Sequence, residues 1–542
     1  MNAAPKSHPP VHRHAHLKPT AAWRPRHNRW VIALCITIAT FMEVLDTSIA
    51  NVALPHIAGG LGATLDESTW VLTSYLVANA IVLPISAWLS TVFGRKRLYM
   101  GCVAVFALSS MVCGMASSLW MLIIFRVAQG AGGGGLGPSE QGILADTFAP
   151  EERGMAFAIY GMAVILAPAI GPALGGWITD HYSWRWLFFI NLPAGILSLI
   201  LTYRMIEDPP YLVRQRKMAW RRGLSIDFTG LVLVATFLGP LQIMLDRGEE
   251  ANWFSSHLIL ILAIVWMASL ALLIIWETSH RRPVVNLRLF RNRTFAISTL
   301  LMFVLGFVLY GSIVLLPQYV QVLLGWSAER AGMALSPGGF TLMLLMPLAG
   351  ALVARFDARW LIAIGFATCV AALYHMTIID PQIDYYNTMM LRVYMAVGVA
   401  FLFVPINTMA YTGVAAEHND DVSSMINLAR NIGGSVGIAL SSAVVTERAQ
   451  LHQANLVEHA TSYDGPLRSF AINVTSQLHH QGLSASHALG QTYARLYQGL
   501  QAQAATLGYI DAFYLMAVLS ACMIPFVFLM KRNEPGRGMV LG

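Results

Sequence analysis

The sequence predicts an all-α membrane protein, and three observations carry that prediction. Apolar residues make up 56% of the 542-residue chain and charged residues only 12%. Long apolar runs recur from residue 30 to residue 530. Lys and Arg gather in alternate connecting segments. A chain so composed has lipid as its solvent for most of its length.

Fourteen apolar spans are expected, centred near residues 40, 79, 108, 130, 166, 195, 236, 266, 306, 343, 369, 401, 434 and 519. Each is long enough to cross about 30 Å of hydrocarbon at 1.5 Å per residue. The basic segments are the N-terminal arm, Arg95 to Arg97, Arg204 to Arg222, Arg281 to Arg293, Arg355 with Arg359, and the tail after Lys531. The positive-inside rule makes that face cytoplasmic, and an even span count puts both termini there. The net charge of +7 then reflects topology and not a nucleic-acid partner.

Residues 1–29 read as a basic, Pro- and His-rich cytoplasmic arm leading into an uncleaved first helix. His8, His12, His14, His16 and His27 are read as part of a disordered tail in preference to a metal site. Cys35, Cys102, Cys113, Cys369 and Cys522 all fall in spans, without disulfide or metal-ligand spacing, and are read as packing residues. The polar stretch Glu207 to Ile226 reads as a cytoplasmic linker. An outer segment, residues 447–507, has apolar residues at helical spacing around Leu483, Leu489, Tyr493, Leu496 and Leu500. It is read either as a partner surface or as a cap.

The chemistry is expected where ionisable groups enter the membrane, because they are costly there. Asp46 lies about sixteen residues into the first span, roughly 24 Å from its cytoplasmic end. Arg126 enters span four from the other side to comparable depth. As neighbours they form either a switchable, proton-dependent pair or a static buried ion pair. Glu43, three residues before Asp46, is expected on nearly the same helical face, as a second proton carrier, a ligand for cations or a hydrogen-bonded packing residue. Glu140, near the inner end of span four, is read as a gate or as an interfacial snorkel.

In span five, Pro168, Gly171, Pro172, Gly175 and Gly176 make a small-residue groove with a permitted bend, read as a hinge or seam between two moving halves. Arg430 is an intramembrane cation in the second half, with Asn427 and Asn431 beside it. Arg392 reads as a snorkel near the outer end of span twelve. Tyr310, Gln318, Gln321 and Asn407 are polar groups in apolar helices that either line a cavity or bond between helices. The run Gly130 to Gly135 has G-x-G-x-x-G spacing but no β-α-β context, and Leu136 and Gly137 stand where a P-loop needs Lys and Ser/Thr. No ATP site, cofactor or enzymatic chemistry is expected.

Three motifs together resemble the major facilitator superfamily. They are Leu45-Asp46 with Asn51-Val52-Ala53-Leu54-Pro55, Arg126 with Gln129-Gly130, and Gly171-Pro172 with Gly175-Gly176. Trp184 to Pro193 and Gln242 to Gly248 narrow the likeness to the fourteen-span drug:proton antiporters of the EmrB-like group. The resemblance implies the major facilitator fold: two six-helix bundles (residues 30–206 and 281–530) joined through a linker (207–226) and two inserted helices (227–280), with a cytoplasmic tail (531–542). It implies proton-coupled multidrug efflux across a bacterial inner membrane, with an EmrA-like membrane-fusion adaptor and a TolC-like outer-membrane channel as partners. Asp46 would carry the proton with Arg126 as its partner. Substrate would sit between the bundles, with Gln129, Tyr310, Gln318, Asn407 and Arg430 as expected lining. Gly94 and Arg95 keep the end of the superfamily's gating motif, but Thr91 stands where an Asp is usual, which argues against a charge-relay gate. Glu43 stands where EmrB-like chains tend to carry a neutral polar residue.

The few charges in the expected wall favour hydrophobic or amphipathic substrates, among them uncouplers, dyes, antibiotics and fatty acids. A stand-alone exporter of one metabolite and an uncoupled channel are the alternatives. A membrane sensor is disfavoured, because neither terminal segment is long enough to fold as an output domain.

Overall fold

The computed structural model describes residues 25–221, 227–280, 283–460 and 465–532, and these are helical with short connections. His8, His12, His14 and His16 lie outside the described residues, as do 222–226 of the linker and most of the tail. The helices are α1 (Arg29–Leu61), α2 (Leu65–Ser68), α3 (Trp70–Phe93), α4 (Arg95–Gly114), α5 (Leu119–Gly134), α6 (Leu136–Thr147), α7 (Arg153–His181), α8 (Trp186–Phe189), α9 (Asn191–Met205) and α10 (Pro210–Arg221). They continue with α11 (Phe228–Arg247), α12 (His257–Ser279), α13 (Arg293–Val322), α14 (Ala328–Val353), α15 (Ala358–Met376), α16 (Tyr385–Ala410), α17 (Asn419–His459), α18 (Gly465–His480) and α19 (Ala485–Val527). Side-chain caps fix many of the starts: Asn28 accepts from Trp30 N, Ser118 from Met121 N, and Asn292 from Thr294 N and Phe295 N.

Among the described residues, thirteen segments are long and apolar enough to cross a membrane. The chain is therefore a multi-pass membrane protein. The expected fifth span corresponds to α7, whose stretch Arg153–Pro168 is apolar among the described residues. Span four is α5 and α6 with a break at Gly135. Residues 447–507 are mostly helix: α17 runs for 41 residues and α19 for 43, with α18 packed on α19.

The packing repeats itself. In the first half α1 lies along α7, α3 along α5, and α4 along α5 and α9. In the second half α13 lies along α17, α14 along α16, and α15 along α16 and α19. First with fifth, second with fourth and third with sixth is thus the order in each bundle. The halves meet where α7 packs on α14 and α16, and where α3 and α6 pack on α17. The inserted pair packs on itself, with α11 against α3 and α17.

The basic segments lie on one face, called here the basic face. There α1 begins, with Trp30 edge-on to Phe148, and there α19 ends, with Arg359 Nη1 donating to Met530 O at 3.4 Å. The linker is a helix over Pro210–Arg221. Trp220 Nε1 donates to Val92 O at 3.0 Å, so α10 lies against the α3–α4 turn.

Candidate functional site

The site begins with the approach of α5 to α3. A methyl built on Gly130 would lie 2.3 Å from the Tyr75 carbonyl oxygen, and one on Gly134 2.5 Å from that of Asn79. The glycine run is therefore a helix-packing surface. That closeness sets Arg126, fully buried, beside Asp46 at 3% exposure. Arg126 Nη1 donates to Asp46 Oδ2 at 2.6 Å and to Gln129 Oε1 at 2.9 Å, and its Nε donates to Val71 O at 3.0 Å. The Tyr75 ring lies beneath the guanidinium at 4.4 Å. Asp46 Oδ1 accepts from Gln129 Nε2 at 2.9 Å and from Asn191 Nδ2 at 2.6 Å. Asn191 is held in turn by Ser110, whose hydroxyl donates to Phe188 O. A buried ion pair needs such extra bonds to offset its desolvation.

A cavity of about 310 Å³ lies between the halves. Glu43, Asn79, Tyr160, Tyr310, Asn427 and Arg430 give it its polar wall. Asn79 Nδ2 donates to Glu43 Oε1 at 3.0 Å, and Tyr75 OH reaches the same oxygen at 3.5 Å. Arg430 lies over the Phe403 ring at 5.8 Å. The inserted α11 also reaches in: Gln242 lines the cavity and accepts from Ser435 Oγ at 3.0 Å.

Several expected placements are corrected. Glu43 lines the cavity and Asp46 does not, because three residues turn the helix by about 300° and leave the two side chains some 60° apart. Gln129 belongs to the Asp46 cluster and not to the cavity wall. Asn407 is fully buried within the second bundle, donating to Phe403 O one turn back, and Gln318 is exposed on α13; neither lines the cavity. Of the expected lining residues, Tyr310 and Arg430 do. Arg392 points inward, Nη1 donating to Ser312 Oγ at 3.4 Å, so it does not snorkel. Cys522 is exposed while the other four cysteines are buried.

The small-residue groove of α7 faces α1 in the same bundle and not the other half. A methyl on Gly171 would meet Ser48 Oγ at 2.3 Å, and one on Gly175 would meet Ile49, while Gly176 has nothing within 4 Å. Pro168 lines the cavity and its carbonyl accepts from Ser48 Oγ at 3.4 Å. Pro172 lies on α7, with its side chain outside what is described. The seam between halves runs lower on α7, where a methyl on Gly154 would lie 2.9 Å from Gly350 O.

At the basic face the halves are joined by charge. Gly94 has φ +88°, a conformation that favours glycine, and it turns the chain into α4. Arg95, buried next to it, pairs with Asp146, and its Nε pairs with Asp420 Oδ1 of the second half at 2.7 Å. Asp420 Oδ2 accepts from Ser90 Oγ at 2.6 Å, and Asn419 Nδ2 donates to Asp146 Oδ1 at 2.7 Å. Tyr211 of α10 donates to Asp146 Oδ2 at 2.8 Å, and burial pushes its phenol up, keeping it a donor. Thr91 only bonds back to Trp88 O. A charge network therefore exists despite the missing Asp, with its acids supplied by α6 and α17. Above it, Ser424 Oγ donates to Leu83 O, and Asn427 Nδ2 donates to Gln141 Oε1 at 2.9 Å. Glu140 is completely buried, which rules out the snorkel.

Sequence reasoning missed Asn191, Ser110, Tyr75 and Asn79 as partners, and Asp146 and Asp420 as the latch.

Residues 36–438 match the Major Facilitator Superfamily. The chain is 37% identical over 489 residues to "Multidrug export protein EmrB" of Haemophilus influenzae, covering 90% of this chain and 93% of that protein. It is 38% identical over 461 residues to the protein of the same name in Escherichia coli, covering 85% and 88%. It is 36% identical over 503 residues to "Fatty acid resistance protein FarB" of Neisseria gonorrhoeae, covering 93% and 96%. Among solved structures, a double-Trp variant of XylE superposes with a TM-score of 0.61 at 13% identity, over 94% of this chain and 97% of that one, a likeness of fold.

Proposed function

Since the chain belongs to the major facilitator superfamily, we propose that it is a proton-coupled exporter of hydrophobic and amphipathic compounds, working as the inner-membrane part of a three-component efflux pump. The observation that carries the reading is the Asp46 cluster beside the cavity. Asp46 is a buried acid paired with the Arg126 guanidinium, and it shares α1 with the cavity wall. Protonating Asp46 removes one charge of that pair and leaves a buried cation with the Val71 carbonyl, Gln129 and the Tyr75 ring. The change in charge favours one arrangement of the helices over another.

With the basic face taken as cytoplasmic, a latch at that face below a central cavity suits a substrate-releasing state. Inward movement of one charge across 100 mV supplies about 2.3 kcal/mol, enough for an outward gradient of roughly fortyfold. The names of the relatives support multidrug export. The outer hairpin of α17 and α19 offers an adaptor a surface, with Leu489 and Tyr493 exposed on it. A second reading, export of an anionic amphiphile such as a fatty acid, is favoured by Arg430 in the cavity and by the likeness to FarB.

The test uses the purified protein in liposomes with a pH dye inside and ethidium or a long-chain fatty acid as probe. Probe-driven proton movement that disappears in Asp46→Asn is expected. Movement unchanged in that variant sinks Asp46 as the carrier, and probe flux without protons makes the protein a uniporter.

A further inference from the structure

We propose that Glu140 is a second proton-binding site, filled from the cavity by way of Glu43 and emptied at the basic face. This rests on the proton-coupled reading above. Glu140 sits on α6 with no exposed surface. Its Oε1 lies 3.2 Å from the Tyr99 hydroxyl, and its Oε2 has no hydrogen-bond partner among the described residues. The same hydroxyl lies 3.1 Å from the Ile36 carbonyl oxygen. A phenol has one hydrogen, and a carbonyl oxygen only accepts. When Tyr99 donates to Ile36, its contact with Glu140 is a hydrogen bond only if the carboxyl donates. A carboxylate in that place would be stripped of water, with only the shared Tyr99 hydroxyl and the Thr40 backbone beside it, which is far costlier than a neutral acid. The geometry fits Glu140 carrying a proton in this state.

The titratable groups that face it are Glu43 of α1, Tyr99 of α4 and Tyr160 of α7, with Cys35 of α1 beyond Tyr99. From α4 and α17, Arg95 and Asp420 satisfy each other beside Gly142, half a turn along α6. Among the described residues no cation bonds to Glu140. Glu43, Thr40 and Ile36 form one stripe of α1 that descends about 10 Å from the cavity towards Tyr99. Thr40 lines the cavity, and its hydroxyl is buried with no hydrogen-bond partner among the described residues. Along that stripe an O–H bond breaks at Glu43 and one forms at Glu140, with no other reactant. The exit is built into the seam. Gln141, the next residue, bonds Asn427 of the second half, so parting α6 from α17 brings water within one residue of Glu140. Hydration then favours the carboxylate, and the proton leaves on that side.

Infrared spectra of the purified protein in lipid nanodiscs test the site without a substrate. The carbonyl stretch of a buried carboxylic acid is expected at neutral pH in the native chain and in Asp46→Asn. It is expected to be absent in Glu140→Gln and displaced in Tyr99→Phe. In Arg95→Gln, which unlatches the basic face, the band should lose most of its intensity. A spectrum that Glu140→Gln leaves unaltered overturns the proposal, and so does a band at full strength in Arg95→Gln, which marks a permanently neutral structural acid. In liposomes with ethidium, a gradient of one pH unit and no membrane potential, each coupled proton supports a tenfold substrate ratio. Glu140→Gln should lower the limiting ratio about tenfold, and an unchanged limit again overturns the proposal. Flux that Asp46→Asn leaves intact strikes the earlier reading and not this one.

Discussion

At 3% exposure, Asp46 has Arg126, Gln129 and Asn191 all pointing hydrogens at it. Removing one member of such a pair leaves a bare charge, at a cost of about 3–5 kcal/mol. Arg126→Gln is therefore expected to lower the melting temperature sharply, and Asp46→Asn/Arg126→Gln to lose less than the sum of the single losses. Thermal denaturation of the four proteins in detergent closes that cycle. Asp46→Asn also imitates the protonated acid, so its destabilisation measures how strongly protonation pushes the native packing to rearrange. The pair was legible in the sequence because charges stand out in apolar runs. Asn191 and Ser110 were not, since neutral polar groups bond equally well to their own helix. Asp420 was hidden by lying at a helix start among His418, Asn419 and Asp421, where acids commonly serve as ordinary N-terminal residues.

Elements are held at distances set by missing side chains. Gly171→Ala and Gly175→Ala both push into α1 and are expected to destabilise by about 1–3 kcal/mol through overpacking. Gly176→Ala meets open space and is expected to be neutral or to stabilise by up to about 1 kcal/mol, since alanine favours helix. Thermal melts of the three variants, with transport assayed alongside, separate a packing seam from a hinge: a hinge would lose transport without losing stability. The sequence revealed that α7 has a groove but not which helix fills it, because small residues invite any neighbour. It likewise revealed the apolar spans but not the break at Gly135 or the full reach of α17 and α19, where polar turns continue a helix that hydropathy alone would end.

Across the whole molecule, the order in which helices pair is the same in both halves, a regularity invisible in hydropathy because it is a property of contacts and not of composition. The halves are joined at the basic face through Arg95, Asp146 and Asp420. Asp420→Asn leaves Arg95 with one acid instead of two, and the population is expected to move towards a conformer open at that face. Spin labels at Glu151 and Glu417, exposed residues on either side of the latch, should report a longer distance in that variant. An unchanged distance distribution would mean that the other contacts across the seam, such as Asn419 with Asp146, Asn427 with Gln141 and Gly154 on Gly350, are enough to keep the face shut.

The length of α17 has a mechanical meaning. Its 41 residues form one unbroken helix of roughly 60 Å, about twice the hydrocarbon thickness. It is tied to α19 by His452 with Asp511 and by Gln453 with Tyr497. The pair is a lever, with Arg430 on the inner arm of α17 and the ties to α19 on an outer arm of about the same length. A rocking of the second bundle by about 10° would sweep the far end sideways by some 5 Å over a 30 Å arm. On the proposed transport cycle, the position of that tip is a mechanical signal of the cycle's state, carried outward without any further moving part.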